Sequence, residues 1–187
     1  MARGTLFLVV GPSGSGKDTL IDATRAALSD DPMVVFPRRE ITRPAEAGGE
    51  DHTAVDTNTF TAHQTAGAYA LSWSAHGQGY GVPSSIEDDL SAGRSIVVNV
   101  SRGMLDTARQ RFQPVHILSL MVPETVLRDR LIARGRETPE VIEQRVARAK
   151  AFTVSGDDVS VVINDGPLDQ TIDRFLAVIK DARLAPL

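Results

Sequence analysis

Apolar residues along the chain follow two rhythms. Leu6-Phe-Leu-Val-Val10 is an unbroken apolar run and Ile96-Val-Val-Asn-Val100 is apolar but for Asn99, neither alternating, as expected of strands covered on both faces in a parallel sheet. Residues 33–36, 115–122 and 159–163 read as three more strands. Between them, helical spacing predicts helices over residues 19–28, 104–111, 123–134, 138–152 and 168–183. Ser84-Ser-Ile-Glu87 has capping-box spacing and predicts a further helix closing at Gly93, while Thr138-Pro139 supplies a cap followed by proline at the first helical position. Strands alternating with helices predict a three-layer α/β fold, a parallel sheet with helices on both faces. Residues 39–81 break the rhythm: they are polar and rich in Thr and Gly, with short alternating pieces, a helix near 59–65 and a turn at His76-Gly-Gln-Gly79. They are expected to form a small inserted lobe within a single domain whose core is residues 1–38 and 82–187.

Composition narrows the setting. With 187 residues, 42% of them hydrophobic, the chain can bury one good core. The absence of cysteine excludes disulfides, thiolate zinc sites and cysteine nucleophiles. No apolar stretch is long enough to cross a bilayer or to act as a secretory signal, so a cytoplasmic protein without a membrane partner is expected. A net charge of −4 argues against a nucleic-acid binder held by backbone phosphates. Lysine occurs only at 17, 150 and 180, and the arginines gather at 38–43 and again at 128–148.

The strongest chemical signal is Gly11-Pro12-Ser13-Gly14-Ser15-Gly16-Lys17, placed between the first strand and the first helix. Glycines let backbone N–H groups curl around phosphate oxygens, the helix amino end adds its dipole, and Lys17 reaches the outer phosphates of ATP. The loop points to a P-loop NTPase fold and to a nucleotide site formed by residues 11–19. Lysine in such loops is usually followed by a Ser or Thr that binds Mg2+, whereas here Asp18 follows and Thr19 comes one position later. Two readings stay open: Asp18 holds the metal, directly or through water, or it faces away and leaves the role to Ser15 or Thr19.

Two arginine groups fit the same chemistry. Arg128, Arg130, Arg134 and Arg136 flank a helix junction, and Arg145 and Arg148 share a face beyond it. A hinged pair of helices over residues 128–150 is expected to act as a lid, with Arg134, Arg136 and Arg145 stabilising the charge of phosphoryl transfer. The alternative is a solvated surface paired with Glu137, Glu140 and Glu143. Arg43 in Ile41-Thr-Arg-Pro44, with Arg39 upstream and Tyr80 between two glycines, is the candidate set for an acceptor phosphate, against the alternative of surface arginines and a core tyrosine. His52, His63, His76 and His116 show no metal-ligand spacing, and His116 reads as a core residue of its strand.

These residues resemble the guanylate-kinase-like P-loop kinases over nearly the whole chain: the loop, Ile41-Thr-Arg-Pro44, Tyr80-Gly81, Arg130-Leu-Ile-Ala-Arg-Gly-Arg-Glu137 and Val161-Val-Ile-Asn-Asp165. Guanylate kinases bind the GMP phosphate with two arginines and two tyrosines and read guanine with a carboxylate. Here Arg43 and Tyr80 are kept, but Glu46 stands for the second arginine, His52 for a tyrosine and Ser74 for the guanine-reading glutamate, while Asn99 and Ser101 replace strand-end aspartates. Losing the carboxylate disfavours GMP as acceptor.

The chain is also similar to the ribose 1,5-bisphosphate phosphokinases. Shared with them are Asp18 after the loop lysine, Ala70-Leu-Ser-Trp73, His76-Gly77, Tyr80-Gly81, Arg134-Gly-Arg-Glu137 and Asn164-Asp165-Gly166. This resemblance implies ATP- and Mg2+-dependent phosphorylation of a small molecule, ribose 1,5-bisphosphate, to 5-phospho-α-D-ribose 1-diphosphate, with an association with phosphonate use. It places Arg43, Tyr80, Arg39 and Ser74 at the acceptor and Asn164 near adenine. The rivals are a nucleoside monophosphate kinase and a catalytically inert guanylate-kinase-like interaction module. The sequence leaves the oligomeric state open.

Overall fold

The computed structural model describes residues 2–45, 50–135 and 137–184. Its centre is β1 (Leu6–Val10), the middle strand of a five-stranded parallel sheet. The other strands are β2 (Val34–Val35), β7 (Ser95–Asn99), β8 (Val115–Met121) and β9 (Val159–Ile163), in the order β2-β7-β1-β8-β9. Alternation along β1 explains why its run has no polar position. Leu6, Leu8 and Val10 face one hydrophobic cluster and Phe7 and Val9 face another, so both sides need apolar cover.

Helices α1 (Lys17–Ala27) and α7 (Leu168–Leu184) cover the Phe7 side through Leu20, Ile21, Phe175 and Ile179. Helices α3 (Ile86–Ser91) and α4 (Leu105–Arg111) cover the Leu6 side through Ile86, Leu90, Leu105 and Ala108. The expected three layers are present.

Residues 39–83 carry a second sheet: β3 (Glu40–Ile41), β4 (Thr53–Ala54), β5 (Tyr69–Ala75) and β6 (Gln78–Pro83), ordered β4-β3-β6-β5. The β5–β6 hairpin closes through His76 and Gly77, both at positive φ (52° and 75°), as a two-residue turn with right-handed strand twist requires. Leu71 and Val82 bury this sheet against the main core. Helix α2 (Thr57–Thr65) begins two residues before the expected position because Asp56 caps it, accepting from the Thr59 N–H at 2.7 Å.

Helices α5 (Glu124–Arg134) and α6 (Pro139–Lys150) pack on each other with their own small cluster of Val122, Leu127, Leu131, Ile142, Val146 and Ala149. The arginine-rich segment thus forms a pair of packed helices with a core of its own.

Two local expectations need correction. The capping box at Ser84–Glu87 does not form: Ser85 is the N-cap in helical backbone geometry with no side-chain bond, and the Glu87 N–H is taken instead by the Ser84 carbonyl at 3.0 Å. His116 is half-buried rather than a full core residue, with Nε2 against Ser160 Oγ at 2.9 Å and its ring 5.8 Å from Phe7, and burial lowers its pKa.

Candidate functional site

The glycine-rich loop leaves β1 and turns directly into α1. Gly14 and Gly16 take positive φ (87° and 88°), and a Cβ on Gly16 would stand 3.0 Å from Asn164 Nδ2, so this backbone path needs glycine there. Lys17 Nζ folds back onto the loop, donating to the carbonyls of Gly11 at 2.8 Å and Pro12 at 3.0 Å. Burial lowers its pKa, opposed by Asp18 and Glu50 and reinforced by Arg39.

Asp18 faces the end of β7, where Asn99 Nδ2 donates to Asp18 Oδ1 at 3.1 Å. Burial first, then the Glu50 charge, hold this carboxyl above its usual range. Ser15 Oγ is fully buried in the loop and finds no hydrogen-bond partner among the described residues. A carboxylate at risk of losing its charge and an orphaned hydroxyl on the same loop are oxygen donors of the kind a hard divalent cation uses. Among the described residues no cluster of three or more His, Asp or Glu side chains forms a metal cage. That is compatible with Mg2+, which takes one or two carboxylates and draws its other ligands from phosphates and water.

Thr19 lines a cavity of about 210 Å³ with Gly14, Gly16, Arg130, Arg134, Asn164, Gly166 and Leu168. Asn164, expected near adenine, borders this cavity, but its amide is already engaged. Nδ2 donates to the Ser15 carbonyl at 2.9 Å, and Oδ1 accepts from Arg130 Nη2 at 3.2 Å and Thr171 Oγ1 at 3.3 Å. Asn164 thus staples the loop to α5 and α7.

Of the arginines on α5 and α6, Arg130 and Arg134 reach that cavity, and Arg145 reaches the loop, donating to Ser13 Oγ at 3.2 Å while pairing with Glu137 at 2.6 Å. Arg128 pairs on the surface with Glu143 at 2.6 Å, as the solvated reading has it. Arg136 lies outside the described residues, as does Glu46.

The acceptor candidates divide. Arg43 is half-buried, and its Nε and Nη2 are inaccessible to solvent without a hydrogen-bond partner among the described residues. Such a guanidinium is poised for an anion. Tyr80 stacks on Trp73 (centroids 5.4 Å apart, planes 4° apart), and its hydroxyl donates to Gln78 Oε1 at 3.1 Å.

Arg39 departs from expectation. It is only 6% exposed, both its Nε and Nη2 donate to the Glu50 carboxylate, and its guanidinium lies over the Trp73 and Tyr80 rings. A side chain so occupied has no free fork for a phosphate. Ser74 also departs: it pairs with Gly79, is exposed, and by strand alternation lies on the opposite face of β5 from Trp73.

Sequence reasoning missed Glu50 and Thr171, which carry no motif. Asn99 was noted as a replacement only. Its signal was available as a polar residue at the carboxyl end of a buried parallel strand, where α/β folds place ligands.

Sheet, loop and helical pair together define a kinase of the P-loop class. The chain belongs to the guanylate kinase family, whose model matches residues 3–182. It is 43% identical over 97% of its length to "Ribose 1,5-bisphosphate phosphokinase PhnN" of Thiobacillus denitrificans, covering 96% of that protein. It is 45% identical over 94% of its length to the protein of the same name from Pseudomonas fluorescens, covering 95% of it. The crystal structure of guanylate kinase from Anaplasma phagocytophilum matches 98% of this chain and 88% of its own with a TM-score of 0.67 at 20% identity, a likeness of fold. Among the described residues no helix is long and apolar enough to cross a membrane.

Proposed function

We propose that this protein transfers the γ-phosphoryl group of ATP to the 1-phosphate of ribose 1,5-bisphosphate, giving 5-phospho-α-D-ribose 1-diphosphate and ADP. The observation that carries this reading is near-full-length identity of 43% and 45% to two relatives named for that substrate. The loop geometry supports it, because Lys17 and the glycine turns are what phosphate binding needs.

An oxygen of the acceptor 1-phosphate attacks Pγ, the bond from Pγ to the β–γ bridging oxygen breaks, and ADP leaves with the electron pair. Both partners are already anionic, so no general base is required, and the protein's work is positioning and charge stabilisation. Lys17 leaves the Gly11 and Pro12 carbonyls for the outer phosphates. Arg43 holds an acceptor phosphate with its Nε and Nη2, which have no partner among the described residues, and Tyr80 offers its hydroxyl beside it. Arg130, Arg134 and Arg145 approach from the lid. Asp18 and the buried Ser15 hydroxyl would hold Mg2+, which would supply positive charge against the phosphate oxygens during transfer.

The deciding experiment offers the purified protein Mg2+ and ATP with ribose 1,5-bisphosphate or GMP, and follows ADP and the phosphorylated product. Diphosphate formation from the sugar, with little turnover of GMP, is the expected result. Preference for GMP would replace the reading with a nucleoside monophosphate kinase. Turnover of neither would move it to the inert module.

A further inference from the structure

Trp73 and Tyr80 are cross-strand partners on β5 and β6, and their rings stack nearly parallel. A pair of aromatic faces is a natural platform for a nucleobase, since every base can stack on it. Here the platform is taken. The Arg39 guanidinium lies 5.4 Å from the Trp73 ring centroid and 5.3 Å from that of Tyr80. Glu50 holds its free edge with both carboxylate oxygens.

We propose that Arg39, tethered by Glu50, occupies the stacking place that the base of a nucleoside monophosphate would take, and so restricts the acceptor cleft to phosphorylated sugars that carry no base. This rests on the acceptor reading given above and names the residue pair that sets its selectivity.

A planar cation on an aromatic face is well matched. A base entering the cleft would have to displace it, splitting a buried ion pair and leaving the Glu50 carboxylate uncompensated. A sugar phosphate does not need the stacking place, so the cost falls on base-bearing acceptors alone.

Trp73 is the chain's single tryptophan, so a base stacking on it is readable by intrinsic fluorescence without any turnover. With the loop filled by a non-hydrolysable ATP analogue, GMP and AMP are titrated into wild type, Arg39→Ala and Glu50→Gln, each checked by circular dichroism. Wild type should show no saturable quenching up to millimolar nucleotide. Arg39→Ala should bind at least one of the two at least ten-fold more tightly than wild type, and Glu50→Gln should fall between them. A folded Arg39→Ala with no such gain, or wild type quenched as strongly as the variant, overturns the proposal. Glu50→Gln preserves side-chain volume and decides the matter by the same criterion if Arg39→Ala fails to fold. Wild-type turnover of ribose 1,5-bisphosphate is measured in parallel. Its absence beside a gain in the variant removes the acceptor reading and leaves Arg39 as the block to base stacking, whereas turnover without a gain removes only the role of Arg39.

Discussion

Asn99 Nδ2 donates to Asp18 Oδ1 at 3.1 Å, joining the carboxyl end of β7 to the first turn of α1. The bond fixes the carboxylate that follows the loop lysine, in a place where burial and the Glu50 charge both resist ionisation. A carboxyl whose pKa is raised by folding is held protonated more tightly in the folded state than in the unfolded one. Stability is therefore lost as pH climbs from the ordinary carboxylate value through the raised one. Asp18→Asn should melt above wild type at neutral pH, with a gap that closes in acid. The same variant should lose about 10²-fold in kcat and need more Mg2+. Melting curves across pH, together with a Mg2+ titration of turnover, check both halves; a gap that does not change with pH would refute the raised-pKa account.

Lys17 is expected to be dispensable for folding and essential for turnover. Its two acceptors are loop carbonyls of Gly11 and Pro12, which lose only a donor when it is truncated. Lys17→Ala should therefore keep its circular dichroism spectrum and lose about 10²–10³-fold or more in kcat, the scale of removing one preorganised donor from developing charge. Near-normal turnover by a folded variant would overturn the mechanism.

The parallel sheet was legible because each central strand must be apolar on both faces, and the loop because its glycines, lysine and position between strand and helix coincide. The inserted lobe was legible only as a break in rhythm, since two-residue strands such as β3 and β4 leave no periodicity to read. The failures at the site have a common cause. Arg39 reads as a phosphate ligand until Glu50, eleven positions on, is seen to occupy its fork. Asn164 reads as a base contact until its amide is found on Ser15, 149 positions away. Which side chain satisfies which is fixed by tertiary contact, and no local spacing encodes it.

Arg43 offers a test of function traded against stability. Two of its nitrogens are shut off from solvent and unpartnered among the described residues, a cost the folded protein bears without ligand. Arg43→Met should leave stability unchanged or raise it by about 1 kcal/mol. The KM for ribose 1,5-bisphosphate should rise about 10²-fold, as when one partner of a desolvated charge pair is truncated. Urea unfolding and steady-state kinetics measure the two effects. A large stability loss with unchanged acceptor KM would show that Arg43 is a structural residue.

Arg109 grips Asp158 through one guanidinium edge, Nε to Oδ2 at 2.8 Å and Nη2 to Oδ1 at 2.7 Å, and so ties α4 to the segment entering β9. That bonding holds the Asp158 carboxyl below its ordinary range. The stabilisation is present in full above the ordinary carboxylate value and is lost as pH falls through the depressed one. Because the pair is partly exposed, Arg109→Met should cost about 1 kcal/mol at neutral pH. Denaturation of wild type and variant at descending pH should converge; a constant difference down to strong acid would mean that Arg109 acts by packing alone.

Asn164 is the residue through which the loop meets α5 and α7, and it is only 4% exposed. Asn164→Ala leaves the Ser15 carbonyl and the Thr171 hydroxyl without the partner each now has, which should cost about 1–3 kcal/mol of stability. Freed from its staple, the loop should bind triphosphate less well, so KM for ATP should rise more than kcat falls. Asn164→Asp separates the two roles. Its carboxylate still accepts from Thr171 and Arg130, but it sets a second oxygen against the Ser15 carbonyl where a donor stood. It should therefore weaken ATP binding at least as much as alanine does, while the contacts to α5 and α7 survive. If Asn164→Asp binds ATP like wild type, the loop is shaped by its own glycines and the staple contributes nothing to it.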